Sequence, residues 1–272
     1  MQSFKSLAIL IIGASFAFGS FPGIKVLILP YIVLTLLWGA LYILNDHSDY
    51  SLDKINVKKF RPMLSLDKRD RRRCLYYAIL MVVAMLILSG LINIYFLIFC
   101  LVMVTFQLMY IFRPFRLKER FLLDLIPVSV INPIMRFYAG WSLINFDFGF
   151  SWILVVLILL GLTTNLSNRL KNRDFEKKVG FRSLTVILSE KVSLVIIFTF
   201  GFLTFVLFSY LSLFSIELNP YMFLIPVLVF IFLFAYYLLR KIGLSPKLQL
   251  MIIRSGGFFV YFLCALIYAF FI

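Results

Sequence analysis

The residues of this sequence best suited to chemistry fall in two short stretches. The first reads Asn45-Asp46-His47-Ser48-Asp49-Tyr50-Ser51-Leu52-Asp53. If a helix continues through it, Asp46, Asp49 and Asp53 are offset by three and four residues and share one face. Carboxylates so placed repel one another unless a cation sits among them. Oxygen ligands without Cys or paired His suit Mg²⁺, which binds through one or two carboxylates, waters and substrate phosphate oxygens. The second stretch is a stripe of Asn165, Asn168, Asn172 and Glu176 at spacings of three, four and four. Amide and carboxylate oxygens are metal ligands or hydrogen-bond partners, and in lipid such a row must face the protein interior or a wet cavity. Facing stripes of this kind would hold Mg²⁺ and a diphosphate between them. Nearby Lys and Arg would neutralise the phosphate charge as it becomes a leaving group. His47, between the acids, reads as a helix-end residue rather than a ligand or base.

These stripes must be carried by membrane helices. The chain has 272 residues, of which 63% are hydrophobic and 14% charged, against roughly 45–50% and about 25% in soluble domains. That excludes a water-soluble globule. Apolar runs near residues 4–22, 25–45, 74–92, 94–112, 122–146, 150–171, 192–214, 220–239 and 250–272 give nine expected spans. They lack the alternation of barrel strands, so each is read as a helix with its backbone satisfied internally. Pro30, Pro127, Pro133 and Pro226 fall inside spans as kinks. The first run is read as a span rather than a cleaved leader. The longest polar stretch, residues 46–73, is too short for a soluble core, so the whole of 1–272 is expected to be a single transmembrane domain.

Charge sorts by loop parity. There are 27 Lys+Arg against 12 Asp+Glu, a net +15, and the loops after even-numbered spans hold nearly all the loop cations, while the opposite loops hold only Lys25. The positive-inside rule places the N-terminus and the even loops in the cytoplasm of a cell-membrane protein, where basic residues also meet anionic lipid. Cys74, Cys100 and Cys264 are widely spaced and suggest neither disulfides nor zinc. Nothing in the motifs favours nucleic acid as a partner. A transporter would hold its charges near the bilayer midplane, whereas these sit mostly at one surface, with Arg136 the exception.

At the two stripes the sequence resembles the UbiA superfamily of intramembrane prenyltransferases. Asn45, Asp46, Asp49 and Asp53 followed by Arg61-Pro62 match the superfamily's first signature in full. Asn172-Arg173-Asp174-Phe175-Glu176 followed by Gly180-Phe181-Arg182-Ser183-Leu184 resembles its second, with Asn172 where Asp is usual. The segment through Lys118, Asp124, Arg136 and Gly140 is similar to the region between them. The resemblance implies an all-α, polytopic membrane protein of about nine helices around a central cavity. Its activity would be Mg²⁺-dependent transfer of an isoprenyl group from its diphosphate to an aromatic or other lipophilic acceptor. By position, Asp46, Asp49, Asp53, Asn172 and Glu176 would be metal ligands, and Arg61 would serve the chemistry beside the three Asp residues. Asn45, Lys118, Asp124, Arg136, Asn168 and Arg173 would meet substrate. Phosphoribosyl transfer to a polyprenyl phosphate and terpene cyclisation, both found in the same superfamily, are the alternatives. The neutral amide of Asn172 makes a second Mg²⁺ weaker or replaceable by Arg or Lys contacts.

Overall fold

A computed structural model of the chain describes residues 2–54 and 62–214. The described residues are helical and contain no strand. The long elements are α1 (Gln2–Phe18), α2 (Ile24–Ser48), α4 (Lys68–Ile92), α5 (Ile94–Ile111), α6 (Asn132–Trp141), α7 (Ile153–Lys178) and α9 (Glu190–Phe214). Of two four-residue turns, α3 (Tyr50–Asp53) ends on the last acid of the first stripe and α8 (Leu184–Ile187) follows the second. Five helices are long and apolar enough to cross a membrane. Elements α1 and α6, which also lie on expected spans, are shorter. The eighth and ninth expected spans, with Pro226 and Cys264, lie outside the described residues, as does Arg61.

Local sequence explains where the helices break. Asp67 caps α4, its carboxylate accepting from the Asp70 N–H at 2.7 Å. Asn93 alone separates α4 from α5. Its Oδ1 accepts from the Phe96 N–H at 2.7 Å, and its Nδ2 donates to the Ser142 carbonyl at 2.8 Å, fastening this hairpin to the end of α6. An Asn at an N-cap satisfies one of the amides that a helix start leaves open. The fifth span is shorter than the 122–146 expected, because a π turn at Ile126–Ile131 leads into α6 and the helical path covers only 126–141. Pro127 and Pro133 lack the N–H that a regular α-helix needs, and the Asn132 N–H reaches back five residues to the Pro127 carbonyl. Such π turns are rare and concentrate at functional sites.

Packing is inside-out relative to a soluble protein. Helix α4 exposes Tyr76, Ile79, Leu80, Val83, Ile87 and Leu91, and α9 exposes Val195, Phe198 and Phe202. These apolar faces need a hydrocarbon surrounding. The buried residues form a cluster joining α1, α2, α4, α5 and α6 around Leu34, Leu37, Met85, Phe96 and Met103. A second cluster joins α1, α6, α7 and α9 around Phe137, Leu157 and Phe208. Helices α1 and α6 therefore form the seam between the two halves.

That seam depends on glycine. A Cβ at Gly140 would fall on the Leu10 carbonyl oxygen, and one at Gly13 on the Phe137 carbonyl oxygen. Lipid offers no hydrophobic drive between helices, so close approach of small residues supplies the packing. Gly140→Ala forces the backbones apart and is expected to cost about 1–3 kcal/mol, the usual range for overpacking. The check is a lower melting temperature of the purified protein in detergent; an unchanged value would contradict the close seam.

Candidate active site

Both stripes open on one cavity of about 330 Å³. Asn45 and Asp49 enter it from the end of α2, Asp53 from α3, Gln107 and Tyr110 from α5, Asn132 and Arg136 from α6, and Asn165, Asn168, Arg169, Asn172 and Glu176 from α7. Lys118 comes from the 3₁₀ turn Leu117–Glu119 in the α5–α6 connection. The α2 helix ends at Ser48, yet Asp49 N–H still bonds the Asn45 carbonyl at 2.9 Å, and Asp53 N–H the Asp49 carbonyl at 2.8 Å. The cavity face therefore runs 45–49–53 in four-residue steps.

A cationic clamp closes on this face. Lys118 Nζ donates to Asp49 Oδ1 at 2.5 Å and to Asn45 Oδ1 at 3.1 Å. Arg116 Nη2 donates to the same Asp49 oxygen at 3.3 Å, and its Nε pairs with Glu119 at 2.5 Å. Arg116 holds this position with φ 39°, a left-handed conformation that costs a non-glycine residue of order 1 kcal/mol. The bridge between Asp49 and Glu119 offsets that cost. Lys118 is only 4% exposed. Burial holds its ammonium below the ordinary lysine value, and Asp49 offsets only part of that shift.

A second network is built on Arg169. Its Nη1 donates to Glu176 Oε1 at 2.9 Å, its Nε lies 3.3 Å from Asp124 Oδ2, and its Nη2 donates to Tyr110 Oη at 2.9 Å and to the Lys118 carbonyl at 3.1 Å. The other Glu176 oxygen accepts from Ser183 Oγ at 2.6 Å. The guanidinium thus ties α7 to α5 and to the turn that carries Lys118. Deeper in the cavity, the Arg136 guanidinium lies 4.2 Å over the Trp38 ring. Trp38 precedes Asn45 by seven residues, about 10 Å along a helix.

Residues 6–270 match the model of the UbiA prenyltransferase family. The chain belongs to that family. Digeranylgeranylglyceryl phosphate synthase of Pyrococcus furiosus is 28% identical over 194 residues, covering 71% of this chain and 68% of that protein. A UbiA homologue of Aeropyrum pernix K1, solved in its apo form, superposes with a TM-score of 0.74 at 14% identity over 97% of this chain and 95% of that one. The homologue of Archaeoglobus fulgidus bound to DMAPP and Mg²⁺ gives 0.68 at 17% identity, over 97% and 96%.

This UbiA-family chain is therefore an integral-membrane prenyltransferase, and its structure sorts the residues that the sequence nominated. Asn45, Asp49, Asp53, Lys118, Arg136, Asn168, Asn172 and Glu176 line the cavity. Three do not. Asp46 is half-buried at the edge of the 45–49–53 face, because one residue rotates a helix by about 100°. Asp124 is fully buried behind the cavity, where it pairs with Arg169. Arg173 turns away to donate to the carbonyls of Thr185 at 2.7 Å and Leu188 at 3.2 Å, clamping α7 to the α8 turn. His47 also stays off the cavity wall. The sequence reading missed Arg169, Tyr110, Gln107 and Asn132. Among the described residues no three of His, Cys, Asp and Glu converge as a metal cluster. The donors that fit Mg²⁺ are the oxygens of Asn45, Asp49 and Asp53, a set adequate for an ion that takes one or two carboxylates and completes its shell with water and phosphate.

Proposed function

We propose that the chain transfers an isoprenyl group from its diphosphate to a lipophilic acceptor bearing a hydroxyl and an acidic group, with Mg²⁺ as cofactor. The observation that carries this reading is the convergence of both signature stripes and Lys118 on one buried cavity. Mg²⁺ bound at Asn45, Asp49 and Asp53 would supply Lewis-acid neutralisation of the departing diphosphate. The chain's own residues do the rest. Lys118, held between Asn45 and Asp49, offers its ammonium to phosphate oxygens. Carbon–oxygen cleavage then leaves an allylic cation, which the apolar walls at Ile9, Leu41 and Val128 shield from water.

Two observations favour such an acceptor. Arg136, 5% exposed and stacked on Trp38, sets a cation well below the first signature, where it suits an acidic headgroup better than a carbocation. Asn132 is 2% exposed, lines the cavity, and its Oδ1 has no hydrogen-bond partner among the described residues. Its Oδ1 would accept a hydrogen bond from the acceptor hydroxyl, whose proton passes to the departing diphosphate as the hydroxyl oxygen bonds the isoprenyl carbon. The name of the Pyrococcus furiosus relative supports a phosphorylated glycerolipid as this acceptor. The basic loops support a cytoplasmic cavity mouth and N-terminus, and the family match supports one membrane domain over 1–272.

The test offers purified protein in lipid nanodiscs a panel of isoprenyl diphosphates, each with a prenylglycerol phosphate or a hydroxyaryl acid, and analyses the extracted lipids by mass spectrometry. A Mg²⁺-dependent prenylated glycerophosphate is expected. No prenylated product from any pair, or label entering lipid only from phosphoribosyl diphosphate, would overturn the reading.

A further inference from the structure

The first signature brings two carboxylates to the cavity, Asp49 and Asp53, whereas the second brings only one, Glu176. A divalent ion at the second signature would therefore lack the paired anionic oxygens that hold it. Position 172 is an amide whose Nδ2 donates to the Asn168 carbonyl at 2.9 Å. Glu176, 4% exposed, has Oε1 on Arg169 at 2.9 Å and Oε2 on the Ser183 hydroxyl at 2.6 Å. Asp174 of the same signature is exposed and off the cavity wall, and Asp124, from the connection before α6, lies on the far edge of the same guanidinium at 3.3 Å. Arg169 therefore stands as the cation between Asp124 and Glu176. A guanidinium keeps its charge at any physiological pH and offers its N–H groups in a fixed fork. The Nη1 and Nη2 of Arg169 donate to Glu176, Tyr110 and the Lys118 carbonyl, its Nε faces Asp124, and the same side chain lines the cavity in which a diphosphate would lie.

We infer that this chain binds its diphosphate with a single Mg²⁺, held at Asn45, Asp49 and Asp53, and that Arg169 occupies the role of a second ion at the second signature. The consequence is a division of labour. The first stripe binds metal, while the second holds a permanent cation and through it fixes the turn bearing Lys118. Substrate diphosphate is gripped on one side by Mg²⁺ and on the other by nitrogen donors.

This rests on the diphosphate chemistry proposed above, and the experiment separates the two. Full-length protein in nanodiscs is titrated with Mn²⁺ in the presence of saturating inorganic diphosphate, and bound Mn²⁺ is counted by electron paramagnetic resonance. One Mn²⁺ per chain is expected. Two would overturn the single-ion inference and leave prenyl transfer standing; none would overturn both. In a second arm, Glu176→Gln should keep Mn²⁺ affinity within about threefold, while Asp49→Asn should weaken it by at least about tenfold, the scale seen when metal-site groups are lost. A tenfold loss in Glu176→Gln would make Glu176 a ligand and end the inference. Should that variant fail to fold, the count on the unaltered chain still decides.

Discussion

Asp49→Asn is expected to lower turnover of an isoprenyl diphosphate by about a thousandfold or more, roughly 4 kcal/mol of transition-state stabilisation. Asp46→Asn, three residues earlier, is expected to cost less than about tenfold. The contrast follows from where the two carboxylates sit. Asp49 lines the cavity and is held by both Lys118 and Arg116, at 2.5 and 3.3 Å. Removing its charge would strip the metal position of its central anionic oxygen and release the ammonium that meets phosphate. Asp46 lies off the cavity wall. Both changes are nearly isosteric, so melting temperatures verify that the variants remain folded. Turnover is then measured with saturating Mg²⁺. Equal losses in the two variants, or a larger loss for Asp46→Asn, would show that the metal-binding face is centred on 46 and not on 45–49–53.

The same pair shows what a sequence can resolve. Asn165, Asn168, Asn172 and Glu176 repeat at helical spacing, and all four reach the cavity, since a 3.6-residue period is a property of the chain and needs no tertiary context. The first stripe was legible as a face, but its centre was not. Spacings of three, four and eight all fit one side of a helix, and only the packing of α2 against its neighbours decides whether 45 or 46 looks inward. Arg173 illustrates the converse. It adjoins Asn172 in sequence, yet a single helical step carries its guanidinium to the carbonyls of α8.

Arg169 was the largest omission. Its signal was present, because a charge within an apolar span asks for a partner by default. Its partners were hidden: Tyr110 is 59 residues away and the Lys118 carbonyl 51. No periodicity links residues that distant. The π turn before α6 was equally opaque. Pro127 and Pro133 mark a departure from regular helix without saying which one, and the answer depends on Ser129 and Gly161 meeting closely, with a Cβ at Gly161 falling 2.9 Å from the Ser129 carbonyl oxygen.

Arg169→Met is expected to destabilise the fold by about 3–5 kcal/mol, the range for breaking a buried ion pair by deleting one partner, and to lower the melting temperature by about 10 °C on the usual scale for a chain of this size. The guanidinium is 8% exposed and the carboxylates it separates, Asp124 and Glu176, are 0% and 4% exposed. Once it is gone, two anions are left buried side by side, and the carbonyl of Lys118 and the Tyr110 hydroxyl lose their common donor. Adding Asp124→Asn and Glu176→Gln to Arg169→Met removes the uncompensated charge. If electrostatics is the cause, this triple variant recovers more than half of the lost stability. Its KM for the diphosphate stays high, because the turn carrying Lys118 is no longer tied to α7. If the triple variant is no more stable than Arg169→Met alone, then the guanidinium acts by packing rather than as the cation between two acids. Arg169→Lys separates charge from geometry. A single ammonium cannot span Asp124, Glu176, Tyr110 and the Lys118 carbonyl together, so it should restore part of the stability while leaving the elevated KM.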